Sequence, residues 1–172
     1  MAVRSGPGAF NYSAKILLMV KIDAMYMAEA LKEARKAFEE DEVPVGAVIV
    51  SSGKIVARAH NQVERLKDPT AHAEMIAITQ AAATLSSKWL NEASLYVTIE
   101  PCSMCAGALV LARIKNIVYG AKDPKTGACG SVVNIVNHKK LNHRASVKSG
   151  ILKEECGAIL SDFFKKKRCQ EN

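Results

Sequence analysis

Three side chains suited to a soft divalent metal stand in two short motifs. His72 opens His72-Ala73-Glu74, and Cys102 and Cys105 sit in Pro101-Cys102-Ser103-Met104-Cys105. A structural zinc site closes with four protein ligands, whereas a catalytic site keeps one position for water. One His and two Cys make three ligands, so the count favours catalysis, and the softness of the donors favours one zinc ion per chain as cofactor. Zinc lowers the pKa of its bound water, which makes hydroxide available near neutral pH. Attack by that hydroxide requires a proton carrier. Glu74, two residues from His72, is spaced for the task without being a ligand. The competing expectation is a structural zinc knuckle closed by Cys129 or His60, which leaves Glu74 without a task. Cys156 reads as a small core residue at helical spacing and Cys169 as a bystander in a polar tail.

The elements that must carry these groups follow from periodicity and breakers. Met27, Leu31, Ala34 and Phe38 form one apolar stripe and predict a helix from Ala24 to Glu40, ended by Pro44. Val45 to Val50, a turn at Ser51-Ser52-Gly53, and Ile55 to Ala59 predict a hairpin. A polar loop runs to Asp68-Pro69-Thr70. A second helix then opens near Ala71, with Met75, Ile78, Ala82 and Leu85 on one side. Leu95 to Ile99 is strand-like, Pro101 starts a helix through Ala112, and Ile114 to Tyr119 is another strand. Val132 to Val136 fits either a strand or a short helix. The last helix is expected from about Leu152 to Lys167, with Cys156, Ile159, Leu160 and Phe163 inward. Both candidate motifs therefore lie at helix N-termini, where partial positive charge stabilises thiolates. The order predicts an α/β fold with a central sheet and helices on its faces.

The 172 residues suit one domain, and 49% hydrophobic with 24% charged residues is a globular composition. No apolar run approaches the roughly 18 residues of a membrane span. Five cysteines do not form an even disulfide framework, which points to a reducing compartment. Residues 1–23 read as a flexible extension. It contains the breaker cluster Gly6-Pro7-Gly8 and has no acidic residue before Asp23. Its apolar run Ile16 to Val20 is short for a secretory signal, while an organelle-targeting role stays open. Residues 24–172 form the domain, and a cytoplasmic location is expected. Lys122 to Asn172 holds eleven Lys or Arg against five Asp or Glu, and the rest of the chain thirteen against twelve. A basic C-terminal third on a near-neutral body suggests a polyanionic partner.

Taken together, the motifs resemble the bacterial type of tRNA-specific adenosine deaminase, within the cytidine deaminase superfamily. The paired His-x-Glu and Pro-Cys-x-x-Cys motifs identify the superfamily. Glu42-Val43-Pro44-Val45-Gly46-Ala47, Asp68-Pro69-Thr70-Ala71, Leu95-Tyr96-Val97-Thr98, Glu100-Pro101-Cys102, Cys105-Ala106-Gly107-Ala108, Lys125-Thr126-Gly127 and Asn142-His143-Arg144 are similar to the tRNA branch. The resemblance covers about residues 24–168. It implies a three-layer α/β/α sandwich with a central mixed sheet, a homodimer, and conversion of adenosine to inosine at the wobble position of a tRNA anticodon stem-loop. It also implies that His72, Cys102 and Cys105 hold the metal and that Glu74 shuttles protons. Asn61 would contact the flipped base and Val45 and Ile99 would line its pocket. Asp123 and Lys125 would meet neighbouring nucleotides, and Phe164 and Arg168 the anticodon loop. The extension departs from the family pattern, and Ile99 stands where Leu is usual. Gln62 follows Asn61 where a basic residue is common.

Two other functions fit parts of the sequence. A deaminase of free guanine or cytosine would use the same metal site but has no need of the basic C-terminal third. A non-catalytic, zinc-stabilised RNA-binding subunit would use that basic third but has no need of Glu74.

Overall fold

The computed structural model describes residues 8–170. Residues 1–7, which include Gly6 and Pro7 of the breaker cluster, lie outside the described residues. Helix α1 (Gly8–Glu39) leads to the hairpin β1 (Gly46–Ser51) and β2 (Lys54–His60), then the short α2 (Val63–Leu66) and α3 (Ala73–Thr84). Strand β3 (Ser94–Ile99), α4 (Ser103–Leu111), β4 (Asn116–Ala121), β5 (Ser146–Ser149) and α5 (Lys153–Gln170) complete the chain.

The five strands form one mixed sheet in the order β2-β1-β3-β4-β5. β1 runs antiparallel to β2 and β3, whereas β3, β4 and β5 are parallel. Alternation along the central strands divides the core into two layers. Ala47, Ile49, Leu95, Val97, Ile117 and Tyr119 face the α3–α4 side, and Val48, Val50, Tyr96 and Val118 face the α1–α5 side. Near-continuous apolar strands covered on both faces are what a three-layer α/β/α sandwich requires, and the expected fold is the observed one.

Three elements differ from the sequence expectation. α1 begins at Gly8 and not at Ala24, so the expected flexible extension is helical from Gly8 onward. Ala9 to Glu39 contains no Gly or Pro, so nothing in that stretch breaks the helix. Its residues 12–22 are exposed, and the stripe Met27, Leu31 and Ala34 marks the part that packs on the sheet. Val132 to Val136 is neither strand nor helix but part of an irregular connection, crossed by a single bridge between Cys129 and Asn134. The remaining strand is β5, a four-residue edge strand whose exposed Ser-Val-Lys-Ser sequence has no apolar run to reveal it. Finally, α3 turns Ala73, Glu74, Ala77 and Ala81 to the sheet, while Met75, Ile78 and Ala82 are half-buried and Leu85 is exposed. Small alanines let the helix lie close on β1 and β2.

Candidate active site

The two motifs are delivered by two helix starts. Asp68 Oδ1 accepts the Thr70 N–H at 2.8 Å and the Thr70 hydroxyl at 2.7 Å, closing the turn that leads into α3. His72 then occupies the N-cap of α3 and Cys102 the N-cap of α4, both in extended conformation and neither using its side chain as a cap. Cys105 follows in the first turn of α4, buried under the site.

His72 Nδ1 lies 3.7 Å from Cys102 Sγ and 3.6 Å from Cys105 Sγ. The three ligand atoms are all within 4.8 Å of one another. A tetrahedral zinc with nitrogen at about 2.0 Å and sulfur at about 2.3 Å has N···S edges of about 3.5 Å, so the donor set fits that metal in both type and spacing. Neither proposed fourth ligand joins it among the described residues. His60 turns away, with Nδ1 3.3 Å from Glu33 and Nε2 3.2 Å from Glu40. Cys129 is buried, and burial pushes its thiol up to about 12. A metal held by these three donors would keep a coordination position for solvent or substrate.

The electrostatics agree with a cation-binding role. The hydrogen bond from Cys105, with His72 alongside, lowers the Cys102 thiol to about 4. The same hydrogen bond and burial raise Cys105. A dication held between the two sulfurs would favour the thiolate form of both. A hydrogen bond with Cys102 raises the His72 pKa against the effect of burial. Glu74 is 2% exposed, and burial raises its pKa, so it can hold a proton that an exposed carboxylate would lose.

Above these groups opens a cavity of about 540 Å³. Its floor is His72, Glu74 and Cys102. Val45, Asn61 and Ile99 form its inner walls, and Asp123, Lys125 and Phe164 its rim.

The profile of the MafB19-like deaminase family matches residues 22–168. A Bacillus subtilis tRNA-specific adenosine deaminase is 52% identical over 146 residues, covering 85% of this chain and 91% of that protein. The chain belongs to the tRNA-specific adenosine deaminases. A second member, from Aquifex aeolicus, is 52% identical over 143 residues, 83% of this chain and 94% of its own length. A solved structure from work on A-to-I editing by tRNA:A34 deaminases at the wobble position superposes with a TM-score of 0.77 at 46% identity, over 79% of this chain and 99% of the other.

The deaminase brings nine of the eleven residues singled out from sequence to the cavity itself. Cys105 lies beneath its floor, among the metal donors. Arg168 lies outside it, in an adjoining groove of about 900 Å³ that shares Val43, Glu64 and Phe164 with the cavity. Phe164 is 44% exposed while Phe163 is 3% exposed, as their places on the α5 wheel predict. Sequence reasoning assigned no role to Glu42 and Glu100, two acids 1% exposed that also line the cavity. Glu42 accepts the N–H groups of Glu64 at 3.1 Å and Arg65 at 2.7 Å, which fixes α2 behind Asn61. For Glu100 the available signal was an acid between the apolar β3 and Pro101-Cys102, whereas Glu42 ends the acidic run Glu39-Glu40-Asp41-Glu42 and does not stand out.

Proposed function

We propose that this chain hydrolyses adenosine to inosine at the wobble position of a tRNA anticodon stem-loop, with one zinc ion held by His72, Cys102 and Cys105. The observation that carries the reading is a buried carboxylate, Glu74, beside three convergent metal donors at the floor of a base-sized cavity. When bound, the metal supplies an acidified water at the floor.

The residues of the chain supply the rest. The Asn61 amide both donates and accepts hydrogen bonds, as recognition of a base edge requires. Val45 and Ile99 exclude water from the faces of the ring. Glu74 takes a proton from the attacking water and delivers protons to the ring nitrogen and to the departing amine, and its burial keeps it able to carry them. Water adds at C6, ammonia leaves, and the ring keeps the oxygen, so adenosine plus water gives inosine plus ammonia. A wobble base must leave its stack to reach such a floor, at a cost that is least in a single-stranded loop. Asp123 and Lys125 meet the neighbouring nucleotides. Phe164 offers a ring for an unstacked base, with Arg168 and the lysines before it for phosphates.

The working unit is a homodimer, and its place is the cytoplasm. Leu111 at the end of α4 is 80% exposed, with Trp89 and Leu85 also exposed beyond α3, an apolar surface suited to a second copy. Among the described residues no helix is long and apolar enough to cross a membrane.

The test is conversion of an adenosine-starting anticodon stem-loop by zinc-loaded protein, read by sequencing, where inosine reads as guanosine. Conversion confined to the wobble position is expected. Deamination of free guanine or cytosine with no stem-loop conversion would overturn the reading.

A further inference from the structure

The strongest unassigned feature is the carboxylate of Glu100, which follows β3 and precedes the Pro101-Cys102 metal-binding turn. It is 1% exposed, and among the described residues its hydrogen-bond partners are donors from one loop, with no cation among them. Oε1 accepts the backbone N–H groups of Cys129 and Ser131, each at 3.0 Å. Oε2 accepts the Asp123 N–H at 3.2 Å and the Ser131 hydroxyl. Gly127 lies so close that a Cβ there would come within 2.5 Å of both the Glu100 carboxyl carbon and the Asp123 carbonyl oxygen.

These bonds gather residues 123–131 around one buried charge. Asp123 in turn accepts the N–H groups of Lys125 at 2.8 Å and Thr126 at 3.1 Å. The order of support is therefore Glu100, then the Asp123 backbone, then the turn carrying Lys125. The same loop is tied to the metal-binding turn, because Ala128 N–H donates to the Pro101 carbonyl at 2.8 Å and Gly127 bridges Cys102.

We propose that Glu100 is a positioning residue for the RNA substrate: its carboxylate, by collecting four donors from residues 123–131, fixes the rim that carries Asp123 and Lys125 at a set distance from the metal-binding turn. A carboxylate is required because every partner donates. Each of its oxygens only accepts, whereas a glutamine in its place presents an NH₂ group to N–H donors. Backbone amides held by a charge remain bonded when the cavity is empty, so the rim is formed before RNA arrives and substrate binding need not order it.

The proposal rests on the deaminase reading for its kinetic arm and is independent of it for its structural arm. The variant is Glu100→Gln in the zinc-loaded full chain, with zinc content, amide hydrogen exchange of residues 122–131, and steady-state kinetics on the stem-loop measured together. The expected result is zinc still near one per chain, exchange in 122–131 at least about tenfold faster, KM for the stem-loop about tenfold higher, and kcat within about threefold of the parent. Ser131→Ala, a change at an exposed residue that removes one donor, should shift KM and exchange in the same direction by a smaller factor. It decides the matter if Glu100→Gln does not fold. Unchanged exchange and KM in Ser131→Ala and Glu100→Gln would overturn the proposal. So would a fall in kcat and zinc content at constant KM, since that would make Glu100 a support for the metal turn alone. If the parent chain fails to convert the stem-loop, the deaminase reading falls, while the exchange measurement still decides whether Glu100 holds the rim.

Discussion

The roles proposed for Glu74 and for the three donors can be tested separately. Glu74→Gln keeps the shape and hydrogen-bonding reach of the side chain but cannot carry a proton. Zinc should stay near one per chain by elemental analysis, and stem-loop turnover should fall roughly 10²–10⁴-fold, the usual weight of a general acid–base. Zinc loss with turnover retained would refute the role assigned to Glu74. Cys105→Ala should instead lose the zinc and turnover together, since it deletes a buried donor and leaves two. Stripping the metal with a chelator tests the same site thermodynamically. A ligand present at about a thousand times its Kd stabilises the folded state by roughly 4 kcal/mol, which in a domain of this size is a fall in Tm on the order of 10 °C on removal. Scanning calorimetry with and without chelator measures it, and a return of Tm on adding zinc completes the cycle.

At the scale of elements, the site depends on how closely helices approach the sheet. Gly46, the first residue of β1, faces α1 so tightly that a Cβ would overlap the backbone of Ala30 and Ala34. Gly46→Ala should therefore lower stability by about 3 kcal/mol, seen as a lower denaturation midpoint at constant m-value, because backbone atoms cannot step aside as a flexible side chain can. α5 is held to α1 by Phe163, buried with its ring edge-on to Phe38 at 5.8 Å and to Phe164 at 5.5 Å between centroids. The α3 stripe shows where element reasoning reaches its limit. Met75, Ile78, Ala82 and Leu85 do share a side, but the sheet selects the alanine face, because only small side chains allow the close approach that seats Glu74 beneath the cavity. Likewise α1 runs on past the packed stripe, through a stretch with no Gly or Pro to break it.

For the whole molecule, charge and exposed apolar surface carry the expectations. Neutralising Lys165 to Arg168 should weaken stem-loop binding and flatten its dependence on salt, since each phosphate contact releases counterions. The flattening should be smaller than four full contacts would give, because Lys165 pairs with Asp162 at 3.5 Å and Lys167 with Asp41 at 2.5 Å. A salt slope that does not change would move the RNA surface away from α5. Leu111→Asp should convert a dimer to a monomer in sedimentation velocity without loss of folded signal, since Leu111 is 80% exposed and contributes little to the protein's own core. A dimer that survives the charge would place the interface elsewhere.

Local spacing marked His72 and Glu74 in one motif and Cys102 and Cys105 in the other, with the helix starts that carry them, because a two-residue or three-residue separation fixes relative placement within a single turn; that the two motifs converge was decided by the fold. The hairpin, the central strands and the order of layers were equally legible, since their apolar runs and breakers are short-range features. Only the folded chain decided that His60 and Cys129 stay out of the donor set and that β5 closes the sheet in place of residues 132–136. It alone also showed that Glu42 holds the start of α2 and Glu100 the loop from 123 to 131. Those outcomes depend on contacts between residues twenty or more positions apart. A buried acid gives no local sign of which distant amides it will gather, because its partners are backbone groups that every residue type shares.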